Sequence, residues 1–399
     1  MDKCIAISGA GIGGLCAALA LVKRGFQVDI FERSTEIAEV GAGLQLSPNA
    51  MHVLTDLDVA ENIKKVAFQP DSAVMRHYQT GDEYFSVPLK KVCIEKYGAD
   101  YLHIHRADLQ QVLYQACINN GVNIHLGQGV KAYQQVDNKV SIEFENGSTQ
   151  LADILIGADG IRSNVQACML GPQNPDFTGQ VAWRGTIPTN QLPKGLVKPN
   201  ANLWVGPGKH FVSYYLRGGD LVNFVAVEER SDWHNESWNE KGDVSQLRET
   251  FKGWHPEVTE LLEATDSCFV WALYGRKPLV KWVDKNVALL GDACHPMLPF
   301  LAQGAAMAIE DSYVLAACLS QSLTKSSNTQ QALLRYQNQR MQRATDIQQG
   351  ASHNSALYHM STPVERAKLS VLKGLSTLGL SNKLAAQKLE SIYGYKVVS

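Results

Sequence analysis

Three carboxylates stand where short apolar runs end: Glu32 after Val28-Asp29-Ile30-Phe31, Asp159 after Ile154-Leu155-Ile156-Gly157-Ala158, and Asp292 after Val287-Ala288-Leu289-Leu290-Gly291. A carboxylate at the carboxyl end of a buried strand is placed to accept from a ribose or ribityl hydroxyl, and a helix opening beyond it offers its N-terminus to an anion. Gly9, Gly11 and Gly14 form a GxGxxG turn after Cys4-Ile5-Ala6-Ile7-Ser8, and Glu32 follows at the spacing of a ribose-binding acid. Gly9 permits the tight turn, Gly11 lets backbone approach a pyrophosphate, and Gly14 lets helix and strand pack closely. The chemistry these residues point to is the holding of a dinucleotide. Read singly, the Asp159-Gly160 and Gly291-Asp292 turns are also ordinary strand-to-helix punctuation.

The elements that must position these groups follow from hydrophobic period. A helix pattern through Ala17, Ala18, Leu19 and Leu21 links the glycine turn to a second strand, Val28 to Glu32. Gly41 and Gly43, then Ser47-Pro48-Asn49, suggest backbone passing close to something large and flat, with a helix opening near Pro48; a surface turn is the plainer account. Residues 68–92 alternate like strands that leave the first sheet. Arg106 begins a helix carrying Leu109, Val112, Leu113 and Ala116, where the dipole disfavours a cation, so a phosphate or ribose contact competes with a solvated arginine. His103 and His105 read as packing or surface residues. Short strands follow near 122–125, 130–135 and 140–144. Residues 181–271 are strand-like and rich in Trp and Tyr, closed by helical segments over 244–264. A helix over about 305–319, a long helical pattern from the polar break at 324–329 through Gln348, and a stretch over 363–389 complete the chain.

With 399 residues and a formal charge of -2, the chain has room for two or three cores and no pull toward a polyanion such as nucleic acid. No apolar run reaches the roughly 20 residues of a membrane helix, and no secretory leader precedes the first strand, so the expected location is the cytosol. Its eight cysteines show neither a CxxC pair nor zinc-ligand spacing, so they read as reduced core residues and no metal is expected. Cys294, inside the Asp292 turn, reads as a small packing residue in preference to a reactive thiol.

Taken in order, GxGxxG with Glu32, Arg106, Ala158-Asp159-Gly160 and the block from Gly291 to Asp311 resemble the single-component FAD-dependent aromatic hydroxylases. The similarity runs over essentially the whole chain and is strongest to the branch with salicylate, 3-hydroxybenzoate and 6-hydroxynicotinate hydroxylases. It implies an α/β fold like that of p-hydroxybenzoate hydroxylase. A Rossmann-type FAD-binding domain (1–68, 100–178 and 272–360) would carry an inserted β-rich substrate domain (69–99 and 179–271) and a C-terminal helical segment (361–399). Gly9, Gly11, Gly13 and Gly14 would then hold the FAD pyrophosphate, Glu32 with Arg33 the adenosine side, Arg106 the phosphate region and Asp292 the ribityl chain. Asp159 would serve both FAD and the nicotinamide cofactor. The loop from Gly41 through Gly43 to Gln45, and the one from Pro296 to Gly304 and Ala305, would flank the isoalloxazine, with Pro299 near the site of oxygen reaction. Gln166 replaces the family's arginine beyond the Asp-Gly turn, which puts nicotinamide-cofactor preference in question.

The resemblance further implies hydroxylation of a small aromatic or N-heteroaromatic substrate, with NADH or NADPH as transient reductant and O2 reacting through a flavin hydroperoxide. Such chemistry needs water kept out and a base that raises the nucleophilicity of a phenolic ring. His210, Tyr214 and Tyr215 are the candidates, against a sheet-edge histidine with no catalytic part. No second GxGxxG serves the nicotinamide cofactor. A flavoenzyme of the same architecture doing epoxidation or dehydrogenation, and a flavin-binding protein without turnover, are the alternatives; a monomer or homodimer is expected.

Overall fold

The computed structural model describes residues 3–37, 43–173, 175–230, 240–324, 328–360, 362–376 and 380–398. Its first sheet has six strands in the order 283–284, 287–289, 154–157, 4–8, 27–32 and 123–126. Apart from the antiparallel edge at 283–284, these strands pair in parallel. Ile5, Ile7, Ile30, Ile154 and Ile156 are buried because helices cover the sheet, which is why the strands read as continuous apolar runs. The helix Ile12–Val22 packs against the later helix Gly304–Thr324, so the glycine turn and the Asp292 turn meet although 280 or so residues separate them.

The second sheet has eight strands in the order 240–242, 268–275, 176–188, 221–229, 209–216, 201–206, 73–77 and 83–87. All its pairs are antiparallel except 201–206 with 73–77. One face buries Trp183, Trp204, Phe211 and Phe224 against the helices Val244–Thr250 and Pro256–Glu263. Most of the aromatic wealth of this region is therefore core. Strands Asp176–Pro188 and Cys268–Gly275 run through 178/179 and 271/272, the edges that the resemblance implied for the β-rich unit; pairing between them fixes their length.

Three helices end elsewhere than the sequence suggested. Gly304–Thr324 is longer at both ends. Thr329–Tyr358 runs ten residues past Gln348, through Gly350, because Ala351, Asn354 and Ser355 are buried on it. The C-terminal stretch is two helices, Pro363–Ser376 and Leu380–Tyr393, both packed on the edge strand Glu83–Val87.

Candidate active site

Four glycines of the first turn divide by what constrains them. Gly9 has φ +103°, and a Cβ there would lie 2.5 Å from the Ala158 carbonyl oxygen. At Gly14 a Cβ would lie 2.0 Å from the Gly9 oxygen, and at Gly13 2.6 Å from Leu290 Cδ2. Protein packing demands these three. Gly11 is different: a Cβ there would meet no protein atom within 4 Å, yet it faces the large cavity beside the turn. The space kept open is on the cavity side, where a pyrophosphate cradle would need it. The turn is braced by Glu32, whose Oε2 accepts from the Ala10 N–H at 2.8 Å and Oε1 from the Ser34 N–H at 2.9 Å; Arg33 beside it is exposed.

The cavity, about 700 Å3, begins at Gly11 and Gly13, passes Arg106, Gly160 and Asp292, and continues between Gly43 with Gln45 and the loop holding Pro299, Gly304 and Ala305. Asp292 exposes its side chain, but to this cavity: surrounding protein pushes its carboxyl up, against the pull of His295 and Arg106. Gln45 Oε1 accepts from Tyr101 Oη at 2.5 Å, and the Gly43 N–H donates to Asn223 Oδ1 at 2.9 Å, so the second glycine-bearing segment is tied to the β-rich sheet. Gly41 lies outside the described residues. The helix Gly304–Thr324 aims its N-terminus at the cavity, where its free N–H groups and dipole favour negative charge.

A buried charged network fixes the loop between Asp292 and that helix. Arg340, fully buried, contacts Glu310 at 2.6 Å and Asp311 at 2.7 Å. Asp311 Oδ2 sits 2.5 Å from His295 Nε2 and accepts from the Gly291 N–H at 3.3 Å. Burial would push the Asp311 carboxyl up, but His295 and Arg340 together bring it below its ordinary range. Asn49 donates to Glu310 at 2.7 Å, and Gln303 donates to Ser47 at 2.9 Å, which ties in the helix Pro48–Asp56. His295 is thus a structural residue. Cys294, His295 and Asp311 bring metal-type ligand atoms within 4.8 Å of one another, but Arg340 already occupies Asp311. Burial pushes the Cys294 thiol far up, which makes it inert.

On the inner face of the eight-stranded sheet the two-residue alternation of Lys209–Leu216 decides which candidates reach the cavity. His210, Val212 and Tyr214 line it. Tyr215 points to the other side, where its hydroxyl donates to the Val197 carbonyl at 3.0 Å and its ring lies 5.2 Å from Phe68, so it is not a candidate base. His210 Nδ1 is 2.8 Å from His359 Nε2, which leaves Nε2 as the ring nitrogen available to the cavity. Burial, with His359 adjacent, drives the His210 pKa well down, so the ring is neutral. Tyr214 is buried against His103, ring centroids 4.5 Å apart, and burial pushes its phenol up.

Asp159 is a second correction. Its carboxylate accepts from Ser163 Oγ at 2.5 Å and from the N–H groups of Asn164 and Val165 at 2.9 and 3.3 Å, so it caps the helix Asn164–Leu170; only its neighbours Ala158 and Gly160 line the cavity. Gln166 is buried in that helix and offers no surface contact to an incoming cofactor. Residues that sequence reasoning missed come from elements distant in the chain: Asn202, Tyr101, Tyr358 and Lys388 all line the cavity. Lys388 Nζ is 2.9 Å from Asn354 Oδ1, and burial lowers its pKa. The helical pattern of residues 363–389 was the available signal, but it does not reveal what the helix covers.

Two lobes that share a cavity with a glycine cradle at one end and a neutral histidine at the other define a dinucleotide-dependent enzyme. An FAD binding domain family model matches residues 3–351. The chain is 36% identical to 6-hydroxynicotinate 3-monooxygenase of Pseudomonas fluorescens over 356 residues, 88% of this chain and 91% of that one. It is 34% identical to 3-hydroxybenzoate 6-hydroxylase 1 of Aquipseudomonas alcaligenes over 378 residues, 94% and 95% of the two chains. Among solved structures it matches a salicylate hydroxylase substrate complex with TM-score 0.83 and 27% identity, covering 98% and 95% of the two chains. The chain belongs to the FAD-binding family and is an FAD-dependent monooxygenase of the p-hydroxybenzoate hydroxylase-like fold. No helix among the described residues is long and apolar enough to cross a membrane.

Proposed function

We propose that the protein hydroxylates a small phenolic or hydroxylated N-heteroaromatic acid, taking two electrons from NADH or NADPH and one oxygen atom from O2, the other leaving as water. The observation that carries this reading is His210: a neutral imidazole with Nδ1 engaged and Nε2 open to the cavity that Asp292 and Pro299 also line. Relatives named for hydroxynicotinate and hydroxybenzoate support the substrate class.

FAD, when bound, supplies the oxygen-activating chemistry. For its binding, Gly11 and Gly13 would offer backbone to the pyrophosphate, Arg106 would offer charge, and Asp292 would accept from the ribityl chain; all four line the cavity. Gly43, Gln45, Pro299, Gly304 and Ala305, which line the cavity, would border its ring system; Glu32, with Arg33 adjacent, lies outside the cavity lining and would serve the adenosine side through the turn it braces. The substrate ring lies between apolar groups such as Met75, Leu203, Val212 and Phe300, which exclude water. His210 Nε2 takes the phenolic proton, making the ring a better nucleophile. Lys388 attracts the substrate's carboxylate; with Arg106 it gives the lining a positive bias against Asp292.

The test is NADH and NADPH oxidation by FAD-loaded protein across phenolic and hydroxypyridine acids, with hydroxylated product and hydrogen peroxide quantified together. Product equal to cofactor consumed is the expected result. Stimulated oxidation yielding only peroxide for every compound, or no stimulation at all, overturns the reading.

A further inference from the structure

We propose that His359 and Glu229 form, with His210, a proton path from the cavity to the protein surface. The proposal rests on His210 as the group that takes the substrate's proton and adds where that proton goes. His210 Nδ1 lies 2.8 Å from His359 Nε2, and His359 Nδ1 lies 3.0 Å from Glu229 Oε1. The three groups run from inside to outside: His210 is 2% exposed, His359 0%, and the Glu229 side chain 44%.

One turn assembles them. The Gly208 N–H donates to the carbonyl of His359, which ends the helix Thr329–Tyr358, at 2.7 Å, and the Gly208 carbonyl accepts from the Glu229 N–H at 2.9 Å. Two residues on, His210 pairs with Val227 on the strand that Glu229 ends. Both imidazole pKa values are lowered by burial, that of His359 against the raising effect of Glu229, so both rings are neutral.

The direction of the hydrogen bonds follows. A carboxylate only accepts, so His359 Nδ1 carries the hydrogen and its Nε2 accepts. His210 Nδ1 must then donate, which leaves the Nε2 lone pair toward the cavity. When the substrate's O–H bond breaks, an N–H bond forms at His210 Nε2. The His210 Nδ1 proton passes to His359 Nε2, the His359 Nδ1 proton passes to Glu229 Oε1, and water removes it there. No electrons are exchanged, and positive charge never has to rest on a buried ring. Transfer in reverse protonates the hydroxylated product and restores the tautomers. Other titratable or charged groups beside the path are Tyr358, whose ring centroid is 5.4 Å from that of His210, Lys388, which reaches Tyr358 through Asn354, and the Glu228–Arg230 pair at 3.7 Å.

The experiment compares FAD-loaded wild type with Glu229→Gln, His359→Gln and His210→Gln, each checked for FAD retention and Tm. The probe is the panel phenol that gives most product, with 3-hydroxybenzoate tried first, and formation of bound phenolate is followed by stopped-flow ultraviolet absorbance. Glu229→Gln keeps an oxygen that accepts from His359 but cannot take its proton, and its side chain is 44% exposed, so the Tm reading separates loss of the path from loss of the fold. Phenolate formation in Glu229→Gln and His359→Gln is expected to slow roughly ten-fold or more, with a larger solvent deuterium isotope effect, and added imidazole should speed Glu229→Gln. Wild-type rates in both variants, with no buffer dependence, overturn the path. If His210→Gln alone is slow, the base stands and the path is wrong. If His210→Gln is as fast as wild type, or no panel phenol is hydroxylated, the base reading falls and the path with it.

Discussion

Lys388 and His103 show how burial turns ordinary side chains into measurable quantities. Lys388 is the lysine among the described cavity-lining residues, and an ammonium hydrogen bonded to a substrate carboxylate adds binding that a methionine of similar length cannot replace. Lys388→Met should therefore raise KM for carboxylated substrates about ten-fold or more while kcat changes less; equal KM for acid and decarboxylated analogue in the wild type would contradict it. His103 is fully buried between Tyr101 and Tyr214, and burial lowers its pKa to about 3. Because the folded pKa lies below the unfolded one, the unfolded chain takes up the proton first, and the stability tied to the neutral ring is lost as pH falls below about 6.5. His103→Phe should gain about 2 kcal/mol on wild type between pH 7 and pH 5, read from urea unfolding of the two proteins at both values.

At the level of the element, the glycine turn separates ligand constraint from packing constraint. Gly11→Ala puts a methyl into open space, so the apo-protein should unfold at the wild-type temperature while FAD affinity drops. Gly14→Ala drives a Cβ into the Gly9 carbonyl and should destabilise the apo-protein by about 1–3 kcal/mol, because helix and strand must separate. Calorimetry of both apo-variants with FAD titration checks the pair; equal loss of stability would remove the distinction. The Lys209–Leu216 strand makes a comparable point about register. Shifting by one residue would bring Phe211 and Tyr215 into the cavity and send His210 into the aromatic core.

Across the whole molecule, the buried ions join four distant segments. Arg340 on the long helix holds Glu310 and Asp311, Asp311 holds Gly291 and His295, and Arg343 carries the contact from Glu310 to the carbonyls of Ser391 and Ile392 near the C-terminus. Arg340→Met leaves two carboxylates buried with less compensation and should cost about 3–5 kcal/mol. Since the Asp292 loop hangs on the same network, the variant should also lose FAD more readily, measured by flavin fluorescence during urea unfolding.

Local residues were enough to make the dinucleotide cradle legible, because a strand, a GxGxxG turn, a helix and Glu32 lie within one continuous segment whose geometry is set by backbone sterics. The place of Asp292 at the cavity was legible for the same reason, as a carboxylate in a turn between strand and helix. Asp159 was not, because an identical local pattern also makes a helix cap, and which hydrogen bonds form depends on where the helix Asn164–Leu170 packs. Nor could the sequence choose between Tyr214 and Tyr215, since alternation specifies two faces but not which face meets the cavity. His359 and Glu229 stand 130 residues apart in the chain, and only the ending of a helix against a strand turn sets them 3.0 Å from each other. The sequence by itself determined the cofactor class and the elements that hold it, through short-range patterns. Tertiary structure alone decided which side chains share the cavity, because that is a property of how the elements pack.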